Sequence, residues 1–152
     1  MEDFRKEKYL FEKGKKLSIR TPFKIGKTYL TKPVVLDSEK NGVWAELALL
    51  LIYKKEGYNG IWLDTFHKRF WSSREKLKEF DSLPQKIRNI LGSKRGGRWD
   101  LIVWKGDKIK FIESKHLLKD KIRTNQIKFM NSLLKMGFDK EDFIVAEWDY
   151  KK

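Results

Sequence analysis

Apolar and polar positions alternate along the chain with two different periods. Residues 43–53 form an apolar run broken only by Glu46. With Asp37 or Ser38 ahead as a cap and Gly57 behind as a stop, that run predicts a helix. Residues 60–66, GIWLDTF, alternate and are rich in aromatic side chains, the pattern of a strand. Ser72 or Ser73 opens a polar helix through Phe80, and Pro84 opens another to about Leu91. Two strands follow, WDLIVW and KIKFIESK, with Gly106-Asp107 between them. Glycine at the first central position suits a type II′ hairpin turn. Residues 120–136 read as an amphipathic helix closed by Gly137, and FIVAEW, residues 143–148, as a last strand. Nearer the N-terminus the pattern is weaker. Residues 4–12 mix lysines with Phe, Tyr and Leu, giving either a short basic helix or a frayed arm. Residues 21–35 carry Pro22, Gly26 and Pro33 and read as loop with short extended pieces. The order of elements implies an α/β fold, a mixed sheet flanked by helices.

Composition narrows the partners. A chain of 152 residues with 40% hydrophobic residues, six Trp and ten Phe carries material for one real core. Against 21 Asp+Glu stand 35 Lys+Arg, a formal charge of +14. Such a field attracts polyanions, meaning nucleic acid or an anionic membrane surface, with a merely solubilising surface as the plainer account. Cysteine is absent, which excludes disulfides, thiol catalysis and Cys-based zinc sites. Residues 1–14 are too charged for a signal peptide, and the 43–53 run is too short to span a bilayer. A soluble, cytoplasmic protein with no membrane partner is the expectation.

The hairpin carries the chemistry. If Lys105 faces Lys108 across the turn, stepping five residues outward along each strand brings Asp100 opposite Glu113. Directly opposed side chains have Cβ atoms about 4.5–5.5 Å apart. Lys115, two residues beyond Glu113, projects from the same face. Two adjacent carboxylates repel, and they become favourable when a divalent cation sits between them; Mg²⁺ takes one or two carboxylates plus water and phosphate oxygens. A nearby lysine can stabilise developing charge or orient a water. The plainer account is an ion pair in which Lys115 neutralises the acids on a solvated face. Yet that face also carries Ile102, Trp104, Ile109 and Phe111, and the other carries Leu101, Val103 and Ile112. Both faces are apolar, as in a covered strand, and acids there are costly unless paired or metal-bound. A slip of one residue would send the two acids to opposite faces.

Two more polar residues interrupt apolar stripes. Glu46 shares a helical face with Val43, Leu50 and Tyr53. Gln126 sits within the stripe of Ile122, Phe129 and Leu133, where an amide wants a partner. Each alone reads as a helix-end polar group or a satisfied core amide. The glycine-rich loop SKRGGR, residues 93–98, enters the hairpin directly. Lys94, Arg95 and Arg98, with Arg123, are the candidates for phosphate contact. His67 could reach a phosphate, though a lone His there is more often a packing residue. Trp62, Phe66, Phe70 and Trp71 could stack on bases, with core packing the commoner role.

Asp100 followed by Glu113-Ser114-Lys115 on the paired strand resembles the D…ExK signature of the PD-(D/E)XK nuclease superfamily. The longer stretch GRWDLIVW…KFIESK…KDKIRTNQIKFMNSLLKMGF…FIVAEW is similar to the VRR-NUC family, over roughly residues 40–150. The resemblance implies a restriction-endonuclease-like core, a four-stranded mixed sheet flanked by helices, and Mg²⁺- or Mn²⁺-dependent hydrolysis of DNA. It implies that Asp100, Glu113 and the Ser114 carbonyl are metal ligands and that Glu46 holds the metal directly or through water. Lys115 would orient the nucleophile and Gln126 support the site. It further implies a branched-DNA substrate, a possible homodimer and a phage, bacterial or archaeal setting; RNA stays open as a substrate. Trp99 stands where the family has Pro, and Ser114 where Val is commoner. On this reading residues 1–40 are a basic extension and 41–152 the nuclease domain, with a helical insertion at about 72–92. The competing reading is a non-catalytic nucleic-acid-binding module on the same fold. A basic membrane-surface protein ranks last, because no apolar face opposes a basic one.

Overall fold

The structure is a computed structural model that describes residues 4–14, 33–64, 69–72, 83–93, 96–118 and 121–152. Its strands are β1 (Arg5–Phe11), β2 (Val34–Leu36), β3 (Gly42–Trp44), β4 (Asn59–Asp64), β5 (Arg69–Trp71), β6 (Leu101–Lys105), β7 (Lys108–His116) and β8 (Phe143–Tyr150). Its helices are α1 (Ala45–Lys55), α2 (Gln85–Ser93) and α3 (Thr124–Leu134), with a 3₁₀ turn at Lys140–Asp142. Six strands form one mixed sheet in the order β1-β8-β7-β6-β4-β5, and β2 and β3 pair separately. β8 runs parallel to both β1 and β7, while β7, β6, β4 and β5 are antiparallel to their neighbours in turn.

The sheet has six strands where four are expected from sequence. The expected four are β4, β6, β7 and β8, and they lie side by side at its centre. β1 and β5 extend it on either edge. Residues 5–11 are neither helix nor frayed arm. Glu7, Tyr9 and Phe11 alternate with the more exposed Lys6, Lys8 and Leu10, a period of two, and the strand pairs along its whole length with β8. Part of the 1–40 stretch is therefore built into the same sheet as the C-terminal strand. The bulk of the expected polar helix, residues 73–80, lies outside the described residues.

The first helix starts later than its apolar run. Val43 and Trp44 belong to β3, and Trp44 caps α1 without a side-chain hydrogen bond. The carboxylate of Asp37, an expected cap, instead closes a tight turn by accepting from the backbone N–H groups of Glu39 and Asn41, each at 2.9 Å.

The hairpin follows its predicted register. Lys105 faces Lys108 and Leu101 faces Ile112. Gly106 takes φ +59° while Asp107 stays out of the left-handed region, as a type II′ turn requires. Both sheet faces are covered. Leu101, Val103, Ile112 and Ile144 pack with α1 and the β2–β3 pair. Ile102, Ile109, Phe111 and Val145 pack with α2 and α3. The crossover from β7 through α3 to the parallel β8 places α3 on that second face, over the side from which Glu113 and Lys115 project.

Candidate active site

Just before β6 begins, its backbone ladder with β7 stops and carboxylates take over. The Asp100 N–H donates to Glu113 Oε1 at 3.0 Å, and the Ser114 N–H donates to Asp100 Oδ2 at 2.9 Å. The two acids thus bridge neighbouring strands, each capping the other strand's exposed backbone donor. Glu113 Oε2 meets the Lys115 ammonium at 3.0 Å and accepts from Gln126 Nε2 at 2.5 Å. The oxygen of the Gln126 amide accepts from the Arg123 N–H at 3.0 Å and from Lys115 Nζ at 3.4 Å. Gln126 therefore couples the ion pair to the first turn of α3, its donor on the anion and its acceptor toward the cation.

Burial sets the electrostatics. Glu113, Lys115 and Gln126 are 3%, 8% and 1% exposed, whereas Asp100 is half-buried. Loss of water pushes the Glu113 carboxyl above its ordinary range, opposed by the Lys115 charge and by the Lys115, Gln126 and Asp100 N–H hydrogen bonds. An acid in such a place needs every one of those partners.

The loop before β6 clamps α3 onto this cluster. Trp99 is fully buried, and its indole N–H donates to the Gln126 carbonyl at 3.0 Å. Its ring packs edge-on against Phe143 at 5.2 Å and Phe4 at 5.9 Å. Gly97 has φ +70°, and a Cβ there would stand 2.0 Å from the Asn125 carbonyl oxygen. Only glycine allows so close an approach. Trp99 and Gly97 are the positioning residues that sequence reasoning missed. The Gly96-Gly97 pair, with Trp99 two residues on, was the available signal.

Five of the predicted residues are linked by hydrogen bonds and an ion pair. Asp100, Glu113, Ser114, Lys115 and Gln126 come together. Glu46 is half-buried in the first turn of α1, the helix that packs on the opposite face. Among the described residues no group of three or more His, Asp or Glu side chains gathers as a metal-ligand set. Asp64, which the sequence pattern did not single out, is a buried acid at the end of β4 that accepts from the Trp71 indole at 3.1 Å. The guanidinium of Arg98 donates to the Leu91 carbonyl near the end of α2, so this cation is anchored within the fold. Arg123 is exposed at the N-cap of α3, beside Gln126. Trp62 and Trp71 are buried and stacked on each other at 5.8 Å, and Phe70 packs against the second core. Phe66, His67, Lys94 and Arg95 lie outside the described residues.

The donor set suits a hard divalent cation. Two carboxylates offer oxygens only, and the Ser114 carbonyl shares the strand edge of its N–H, which faces Asp100. Glu113 uses three acceptor positions on its protein partners, of the roughly four a carboxylate has.

Comparison with protein families, with curated proteins and with solved structures finds no match to this chain.

Proposed function

We propose that the protein is a metal-dependent deoxyribonuclease that hydrolyses DNA phosphodiester bonds, built on a restriction-endonuclease-like core. The observation that carries this reading is the hydrogen-bonded Asp100–Glu113–Lys115–Gln126 cluster, buried at all but Asp100, in a chain of formal charge +14. Asp100, Glu113 and the Ser114 carbonyl would hold Mg²⁺ or Mn²⁺. The bound ion supplies polarisation of the phosphoryl group and a lowered pKa for water. Lys115 sets a positive charge beside the carboxylates, where it can orient the attacking water or offset charge on the phosphate. Gln126 holds Lys115 and Glu113 in one geometry. The cation excess draws the polyanionic substrate to the surface.

The test is cleavage of labelled branched, flap and linear DNA with Mg²⁺ or Mn²⁺. The wild-type chain should cut at least one of these substrates, and Asp100→Ala should cut none. Wild-type cleavage no greater than that of the variant on every substrate refutes the reading. A second reading, a non-catalytic nucleic-acid-binding module, is favoured by the way the Glu113 partners close on themselves within the protein. Calorimetric titration with Mn²⁺ separates the two. The nuclease binds the ion and Asp100→Ala does not, whereas the module binds DNA equally well with or without it.

A further inference from the structure

Two non-glycine residues among those described have positive φ, Lys40 at 64° and Leu118 at 67°. For Lys40 the strain has an evident return. Its N–H closes the Asp37 turn at 3.0 Å, and its ammonium pairs with Glu12 at 3.0 Å. Leu118 is different. It is 94% exposed, the most exposed large hydrophobic side chain among the described residues. A leucine in the left-handed region is strained, and this one recovers none of that cost by burial. Strain of this kind concentrates at functional sites.

Its place in the chain gives the side chain a use. Leu118 lies three residues past Lys115, in the turn that follows β7. Three residues reach at most about 10 Å, so Leu118 lies within about three base-pair rises of Lys115. Lys121 and Arg123, just downstream, are both exposed. An exposed apolar side chain thus lies three and five residues ahead of two exposed cations, just past the end of β7 that carries Glu113 and Lys115. Proteins that deform a duplex insert Leu, Ile, Met or Phe between base steps while cations hold the backbone. Single strands instead stack on exposed aromatic rings, and Trp62, Trp71 and Trp99 are buried here.

We propose that Leu118 is a wedge that enters the base stack of duplex DNA beside the scissile phosphate, with Lys121 and Arg123 on the flanking phosphates. This assigns the substrate class, a duplex unstacked at the cut, and it rests on the nuclease reading.

Leu118→Asn tests it without threatening the fold, because Asn tolerates the left-handed conformation better than Leu. Duplexes carrying 2-aminopurine at successive positions are titrated in EDTA, where no cutting occurs. Wild-type protein should raise the fluorescence several-fold at one or two adjacent positions. Leu118→Asn should lose that rise and bind duplex about tenfold more weakly, with single-strand affinity unchanged and thermal stability equal or higher. A variant that unstacks and binds the duplex as wild type does overturns the proposal. So does a variant that alters only self-association in sedimentation, which would make Leu118 a contact between copies. The two readings fail separately. Wild-type cleavage without any fluorescence rise sinks the wedge alone, whereas a fluorescence rise without cleavage in Mg²⁺ or Mn²⁺ sinks the nuclease alone.

Discussion

A carboxylate that loses its water must regain the equivalent from its neighbours, and Glu113 shows how narrow that balance is. Burial pushes its proton affinity up, while the Lys115 ammonium, the Gln126 amide and the Asp100 N–H pull it down, and burial prevails. The folded carboxyl therefore lies above its unfolded value of about 4.3. Between those two values the folded chain keeps a proton that the unfolded chain has released. The group's contribution to stability is full below the unfolded value and is lost as pH rises through the folded one. Glu113→Gln cannot titrate, so its stability relative to wild type should improve steadily as pH rises from about 4 upward. Urea unfolding of both proteins across that range measures the difference. A difference that is flat, or that favours wild type increasingly with pH, refutes it. The Asp100–Glu113–Lys115 placement was legible in sequence for simple reasons. A two-residue turn fixes the register and a strand has a period of two. The partners of Glu113 on α3 were less so, since Gln126 reads equally as a satisfied core amide until α3 is laid on the correct sheet face. Glu46 depends on more than its period. Helical periodicity aims it inward, but only the topology says which face of the sheet its helix covers.

Elements meet the site through the glycine-rich loop, and there the spacing is set by backbone rather than side chain. Gly97 approaches the first turn of α3 so closely that a methyl group would overlap the Asn125 carbonyl. Gly97→Ala must therefore shift α3 or the loop, in addition to straining φ +70°. The two effects together should cost about 2–3 kcal/mol of stability. The more diagnostic result concerns Gln126, which moves with the helix. The slow solvent exchange expected of its buried side-chain amide, read by NMR, should become fast in Gly97→Ala. Gly92→Ala is the control, because nothing lies within 4 Å of a Cβ at that position. Equal exchange rates in wild type and Gly97→Ala would show that the close approach does not position Gln126. Elements differed in how plainly the sequence announced them. The four central strands carry apolar runs that no other element accounts for. β1 was hidden because lysines on its exposed positions imitate a basic helix or a solvated arm. β3 was hidden because Val43 and Trp44 continue without a break into the apolar run of α1, and β5 because three residues are too few to show a period.

Among the described residues the sheet is covered on both faces, and Lys115 is the cation that is buried. That division decides which cations can serve as phosphate contacts. The sequence treats Lys94, Arg95 and Arg98 alike, as one basic loop. The structure assigns Arg98 a role of its own, because its guanidinium donates to the Leu91 carbonyl near the end of α2. Each cation that neutralises a phosphate steepens the dependence of binding on salt by about 0.9 in log–log slope. Lys94→Ser with Arg95→Ser should therefore weaken duplex binding at low salt and flatten that slope by roughly two. Arg98→Ser should leave the slope nearly unchanged and act on stability instead, since it strips a charged hydrogen bond from a helix end, a loss of about 1.5–3 kcal/mol. Fluorescence anisotropy on one duplex at several salt concentrations, paired with urea unfolding, reads both quantities for each variant. If Arg98→Ser flattens the slope by a full contact and leaves stability untouched, the anchoring assignment fails. If the double variant leaves the slope as it was, the loop is not where this chain meets the phosphate backbone. The cation excess must then act through the exposed lysines of the sheet edges and helices, as a diffuse field that speeds encounter without fixing the position of a strand.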